Sequence, residues 1–101
     1  MLKVRIFCGD GITSSILTMY LRKEMDQAGI EADVQAFSHV FAPREAPGCD
    51  AIILSPHAAH YQKEIESSAE GAPLEVLNMA AYGKYGSKAL MSQVMGMIHK
   101  S

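Results

Sequence analysis

Between Leu2 and Ala28 the hydrophobic period changes once, and that change restricts the folds open to the chain. Leu2, Val4 and Ile6 alternate with Lys3 and Arg5, the two-residue period of a β-strand, and Phe7 carries the run to a loop bearing Gly9 and Gly11. Beyond that loop Leu17, Leu21, Met25 and Ala28 recur at helical spacing. Thr13, Ser14 and Ser15 are good N-cap residues, so the helix is expected to begin within this hydroxyl cluster and to stop at Gly29. A strand that feeds a helix through a glycine loop is half of a βαβ unit, which requires a second, parallel strand.

Ile30, Ala32, Val34 and Ala36 supply that strand, alternating with Glu31, Asp33 and Gln35, and the polar face marks it as an edge strand. From Ser38 to Asp50 the chain carries Pro43, Pro47 and Gly48 without periodicity, and reads as the longest connection, not as a domain linker. Ala51-Ile52-Ile53-Leu54 is a short continuous apolar run, as expected of an inner strand covered on both faces. Ser55-Pro56 supplies an N-cap followed by proline, so a second helix is expected near His57, with Ala58, Tyr61, Ile65 and Ala69 as its stripe. Gly71 and Pro73 end it, and residues 74–77 read as a fourth strand. After a loop holding Tyr82, Ser87 can cap a last helix with Leu90, Val94, Met97 and Ile98 facing inward, and Lys88, His99 and Lys100 outward.

Strands alternating with helices predict an α/β fold: one domain over residues 1–101, with a four-stranded parallel open sheet in order 2-1-3-4 and helices on both faces. A chain of 101 residues holds one core and not two. In such a sheet ligands sit where the strand order reverses, outside the carboxyl ends of strands one and three. Those ends carry Cys8 and Ser55-Pro56-His57.

Nine Lys and Arg against eleven Asp and Glu give a net charge of −2, which makes no electrostatic case for nucleic acid. No signal peptide or long apolar stretch is present in the sequence, so a reducing cytoplasm is the expected location and Cys8 and Cys49 are expected as thiols.

Cys8 stands at the end of a central strand, before small residues and a helix start. Free amides at that start, with the positive end of the helix dipole, suit a dianionic phosphate, and Gly9 and Gly11 let the backbone curl around it. Thr13, Ser14 and Ser15 can donate hydroxyl hydrogen bonds to the same oxygens. The same field favours the nucleophilic thiolate, which makes Cys8 the candidate nucleophile. Against this stands the ordinary reading, a buried structural cysteine followed by a common turn and cap.

The segment Cys8-Gly9-Asp10-Gly11-Ile12-Thr13-Ser14-Ser15 resembles the Cys-x-x-Gly-x-Ser/Thr-Ser/Thr-Ser loop of the IIB components of the bacterial sugar phosphotransferase system (PTS), lactose/cellobiose (chitobiose) family. Ile52-Ile53-Leu54-Ser55-Pro56-His57 is similar to that family's strand ending in a small residue, Pro and often Gln, and Asn78-Met79-Ala80-Ala81-Tyr82-Gly83 to its segment before the last helix. The resemblance implies that Cys8 takes a phosphoryl group from a phosphohistidine on a IIA partner and passes it to a sugar carried by a membrane-embedded IIC partner. It implies that Gly9, Asp10, Gly11, Ile12, Thr13, Ser14 and Ser15 form the cradle. His57 and Tyr82 are candidates to flank it, against the ordinary readings of a solvated histidine at a helix start and a tyrosine packed over a sheet end. No cofactor or metal is required, and the protein would meet the inner face of the membrane only transiently, through IIC. The chain departs from the pattern at Asp10, expected to point outward, at His57 in place of Gln, and at Ala59 and His60, where the family usually has Arg and Tyr.

Other chemistries remain open. A low-molecular-weight phosphatase needs a Cys-x5-Arg loop, and Ser14 stands where that Arg belongs. A redox protein needs a resolving thiol, and Cys49 is expected at the opposite end of the sheet. His39, His57, His60 and His99 show no recognisable zinc spacing. A phosphate-binding regulatory module, with Cys8 merely structural, is the non-catalytic alternative. A carrier also needs a flat apolar rim for its partners, to which Ile12 and Met79 are assigned.

Overall fold

The computed structural model describes residues 2–8, 12–77 and 86–100, without the side chains of 12–17, 56–57, 86–87 and 99–100. Its strands are β1 (Leu2–Cys8), β2 (Ala32–Ser38), β3 (Ala51–Leu54) and β4 (Leu74–Val76). They form one four-stranded sheet in the order β2-β1-β3-β4, all pairings parallel. Helices α1 (Ile12–Gln27), α2 (Ala42–Glu45), α3 (Gln62–Ala69) and α4 (Gly86–Lys100) complete the architecture. This is the predicted α/β fold with the predicted strand order.

Alternation along the inner strands sorts side chains into two cores. Val4 and Ile6 of β1 and Ile53 of β3 pack with Leu21 and Met25 of α1 and Leu90, Val94 and Met97 of α4. Phe7, Ile52 and Leu54 point the other way, against Ala42 of α2 and Ile65 and Ala69 of α3. Each such Ile, Leu or Phe contributes about 1.5–3 kcal/mol by leaving water. Helices therefore cover both faces, and β3, with all four residues fully buried, is the inner strand that its unbroken apolar run predicts.

Gly29 ends the first helical segment as expected: its φ of +71° lies in the left-handed region, which a side chain rarely adopts. β2 is the predicted edge strand, but it spans Ala32–Ser38 instead of beginning at Ile30, because the Gly29 turn brings the chain alongside β1 only where Leu2 pairs with Ala32. Its second face is not simply solvated, since Phe37 packs against the α2/α3 core and Asp33 and Gln35 meet Arg5 and each other.

The connection read as aperiodic has structure. A short 3-10 helix, His39–Phe41, runs into α2, and Ala42 and Ala46 are buried with Cys49 in the second core. Small residues at Ala42, Ala46 and Cys49 let this segment lie close to the sheet. The helix expected near His57 also differs: Pro56–Tyr61 is a 3-10 helix, and α-geometry begins only at Gln62. Ser55 holds the N-cap position in extended geometry with proline following, yet its side chain makes no capping hydrogen bond. α1 starts at Ile12 and α4 at Gly86, each slightly before the predicted hydroxyl caps.

Candidate functional site

The sheet order places the reversal between β1 and β3, whose helices leave on opposite faces. Cys8 is the last residue of β1 and pairs in register with Ser38, the last of β2. On its other side the ladder carries Phe7 opposite Leu54, and the Ser55 amide donates to the Phe7 carbonyl at 2.9 Å. Cys8 thus lies between Ser38, the last residue of β2, and Ser55, one residue past the end of β3, at the sheet end where open α/β proteins hold ligands.

Strand alternation gives all three the same facing. Ile6, Ile53 and Ala36 belong to the α1/α4 core, and two residues further along the chain stand Cys8 and Ser38, each ending its strand, and Ser55, which follows β3 in extended backbone. Neighbouring strands lie about 4.8 Å apart, so the row hydroxyl, thiol, hydroxyl crosses the sheet end in adjacent positions. α1 follows β1 closely, beginning at Ile12, so its unpaired N-terminal amides lie at this same end.

Cys8 has no solvent exposure, which the reading of a buried structural cysteine expects and the nucleophile reading does not. Two covered core faces and ladders on both sides enclose the end of an inner strand. Ser55 is equally buried, and its Oγ has no hydrogen-bond partner. Ser38 is half-buried.

The other expected site residues divide between the described and the undescribed parts of the chain. Gly9, Asp10, Gly11, Met79 and Tyr82 lie outside the described residues, as does the expected outward course of the Asp10 side chain. Ile12, Thr13, Ser14 and Ser15 form the first turn of α1, and His57 lies in the 3-10 turn after Ser55; their side chains lie outside what is described. His39 stacks on Tyr61, ring centroids 3.7 Å apart, and His60 meets the same ring edge-on. Among the described residues no three His, Cys, Asp or Glu side chains gather as a metal site.

Val40 and Phe41, just beyond Ser38, are exposed apolar residues near the Cys8 end, which the sequence analysis missed. They fall in the stretch without periodicity, so no pattern flagged them.

Every arginine is committed elsewhere. Arg5 is buried, its Nη2 3.0 Å from Asp33 Oδ2 and its Nε 3.5 Å from Glu45 Oε1. Arg22 Nε donates to the Val34 carbonyl, and Arg44 pairs with Glu45 and lies over the Phe41 ring.

Cys49 lies at the opposite end of the sheet, before β3, as predicted. It is buried, its Sγ donates to the Glu45 carbonyl at 3.3 Å, and burial pushes its thiol pKa up. A cleft of about 370 Å³ near it, lined by Gly48, Asp50 and Gly71 among others, opens at the amino ends of the strands and not at the reversal point.

Fold and placement together define a small parallel α/β protein with a cysteine at its switch point. Residues 3–93 match the family described as PTS system, Lactose/Cellobiose specific IIB subunit, and the chain belongs to that family. Its members are phosphotransferases of sugar transport. Among its relatives is the PTS system oligo-beta-mannoside-specific EIIB component of Bacillus subtilis (strain 168), 24% identical over 100 residues that cover 97% of each chain. The solution structure of the cellobiose-specific phosphotransferase IIB component from Borrelia burgdorferi is similar in fold, with a TM-score of 0.75 at 20% identity, over 98% of this chain and 93% of that one. The lactose-specific IIB component domain of the PTS from Streptococcus pneumoniae gives a TM-score of 0.68 at 18% identity, over 98% and 92%.

Proposed function

We propose that this chain is a phosphoryl carrier: Cys8 accepts phosphate from a phosphohistidine on a IIA partner and delivers it to a sugar held by a IIC transporter. The observation that carries this reading is the place of Cys8, on the last residue of an inner strand, at the switch point, directly before α1. In uptake the thiolate lone pair forms the S–P bond as the N–P bond breaks, and the electrons of that bond return to the imidazole nitrogen. In release a sugar hydroxyl forms the O–P bond as the S–P bond breaks, the electrons of that bond return to sulfur as the thiolate, and the hydroxyl proton passes to water. Both steps exchange one phosphoryl group, with no oxidant or reductant.

The segment Gly9 to Ser15 is the cradle in this reading, with amides and hydroxyls offered to the phosphoryl oxygens and His57 and Tyr82 at its edge. Burial of Cys8 has two consequences. A donor must uncover the sulfur as it docks, and in this reading the S–P bond formed there is kept from water between transfers. The second is what a relay needs and a hydrolase must avoid. The arginine positions support the same choice, since all three guanidinium groups are engaged away from Cys8 and a phosphatase needs such a fork on the equatorial oxygens.

Val40 and Phe41 supply described apolar surface for the partner rim, beside the assigned Ile12 and Met79. No helix of the described residues is long and apolar enough to cross a membrane, and in this reading sugar and bilayer are met through IIC. The relatives are named for cellobiose, lactose and oligo-β-mannoside, which supports a β-linked di- or oligosaccharide as the substrate class in this reading.

Reconstitution tests this reading. Membranes bearing the cognate IIC, with a phosphorylated IIA donor, are expected to phosphorylate such a sugar only when this chain is added, and not with Cys8→Ser. Catalytic turnover of an aryl phosphate without a donor would instead establish the hydrolase.

A further inference from the structure

A buried hydroxyl without a partner is rare and costs stability, so its presence calls for another state of the protein that uses it. Ser55 is such a group: it has no solvent exposure and its Oγ has no hydrogen-bond partner. Its backbone is satisfied, since its amide donates to the Phe7 carbonyl and its carbonyl accepts from the Ala58 amide, both at 2.9 Å. It stands at the N-cap position of the following 3-10 helix, where a serine ordinarily turns its oxygen onto the backbone, yet it makes no capping bond. The side chain has no local partner, and Ser55, one residue past β3 in extended backbone, continues the ladder that pairs Phe7 with Leu54, so register and alternation put it level with Cys8 and on the same side of the sheet.

We propose that Ser55 is a phosphoryl-binding residue, its hydroxyl donating a hydrogen bond to a nonbridging oxygen of the phosphate on Cys8. This rests on the carrier reading above. The hydroxyl is desolvated and unpaired when Cys8 is a thiol, and an S–P bond extends the Cys8 side chain and places anionic oxygens beside the next strand. The bond therefore forms in the phosphorylated state alone, and Ser55 shifts the transfer equilibrium toward the carrier, where an interaction common to both states would shift nothing. A hydrogen bond to a charged group is also stronger than one between neutral groups.

The test is the equilibrium of phosphoryl exchange between a IIA-type phosphohistidine donor and this protein, read by intact mass as the phosphorylated fraction of each. Ser55→Ala is expected to move the equilibrium toward the donor by about tenfold or more. Its unphosphorylated form should unfold at the same temperature as wild type or higher, because the substitution removes an unpaired polar group. Ser55→Thr keeps the donor and is expected to stay within about threefold of wild type, since one retained hydroxyl preserves the bond. An unshifted Ser55→Ala, or Ser55→Thr falling as far as Ser55→Ala, overturns the inference, and if wild type is phosphorylated while Cys8→Ser is not, the carrier reading stands without it. A wild-type protein that takes no phosphate from an active donor overturns both.

Discussion

Arg5 of β1 pairs in register with Gln35 of β2, but its guanidinium reaches back along the edge strand to Asp33, with Nη2 3.0 Å from Oδ2. Gln35 Nε2 donates to the other carboxylate oxygen at 2.9 Å, so Asp33 is held from both sides. The Gln35 hydrogen bond first, and then that from Arg5, hold its carboxyl below the usual carboxylate range.

A group whose pKa is lower in the folded state binds its proton more readily when unfolded, so it stabilises the fold above the unfolded value and loses that effect as pH falls through the folded one. The Asp33 contribution is therefore present at neutral pH and lost below about pH 4. The side chain is 40% exposed, which limits its effect to about 1 kcal/mol or less. Urea unfolding of Asp33→Asn should show that deficit at pH 7 and a smaller one at pH 3. An equal deficit at both values would contradict the pairing.

Arg5 also marks where the sequence misleads. Alternation with Leu2, Val4 and Ile6 puts Arg5 on a polar face, but β1 lies inside the sheet and both its faces are covered, so the cation is buried against Phe37 and two carboxylates. The α/β order, the inner character of β3 and the edge position of β2 were legible because each rests on hydrophobic period alone. Local helix type at Pro56–Tyr61 was not, since Ser-Pro signals a helical start without separating 3-10 from α. Cys8 was legible as a strand-end residue next to a helix. Its burial was not, because enclosure depends on both neighbouring strands and both helix layers, which no local pattern encodes.

Covering both faces of β3 makes two successive side chains, one on each face, equally costly to truncate. Ile53 packs into the α1/α4 core and Leu54 into the α2/α3 core, each with no exposure. Ile53→Ala and Leu54→Ala should each lower the unfolding free energy by about 2–5 kcal/mol in denaturant titrations. Loss at only one of them would mean that one face of the sheet is open.

The parallel register separates the two thiols. Val4 pairs with Ala51, so Cys49 lies near the level of the β1 start while Cys8 ends that strand, a gap of about 20 Å at the strand rise. A disulfide needs Cα atoms about 4.4–6.8 Å apart. Mild oxidation of the folded monomer should leave no intramolecular Cys8–Cys49 bond by peptide mapping. Finding that bond in folded protein would contradict the register.

Burial that raises the Cys49 thiol pKa works in the opposite sense to Asp33. The neutral thiol is the form the fold accepts, so its contribution is complete below about pH 9 and fades as pH rises further. Cys49→Ala should flatten the alkaline end of the stability profile and leave phosphoryl uptake unchanged. A variant that still shows the full alkaline decline would assign that decline to other groups.

The carrier reading is tested most directly by the intact mass of the protein after incubation with a phosphorylated IIA donor. One phosphoryl group is expected on the wild type, mapped to Cys8 and missing from Cys8→Ser. An unchanged mass with a donor shown to be active, or the same gain in Cys8→Ser, would contradict it.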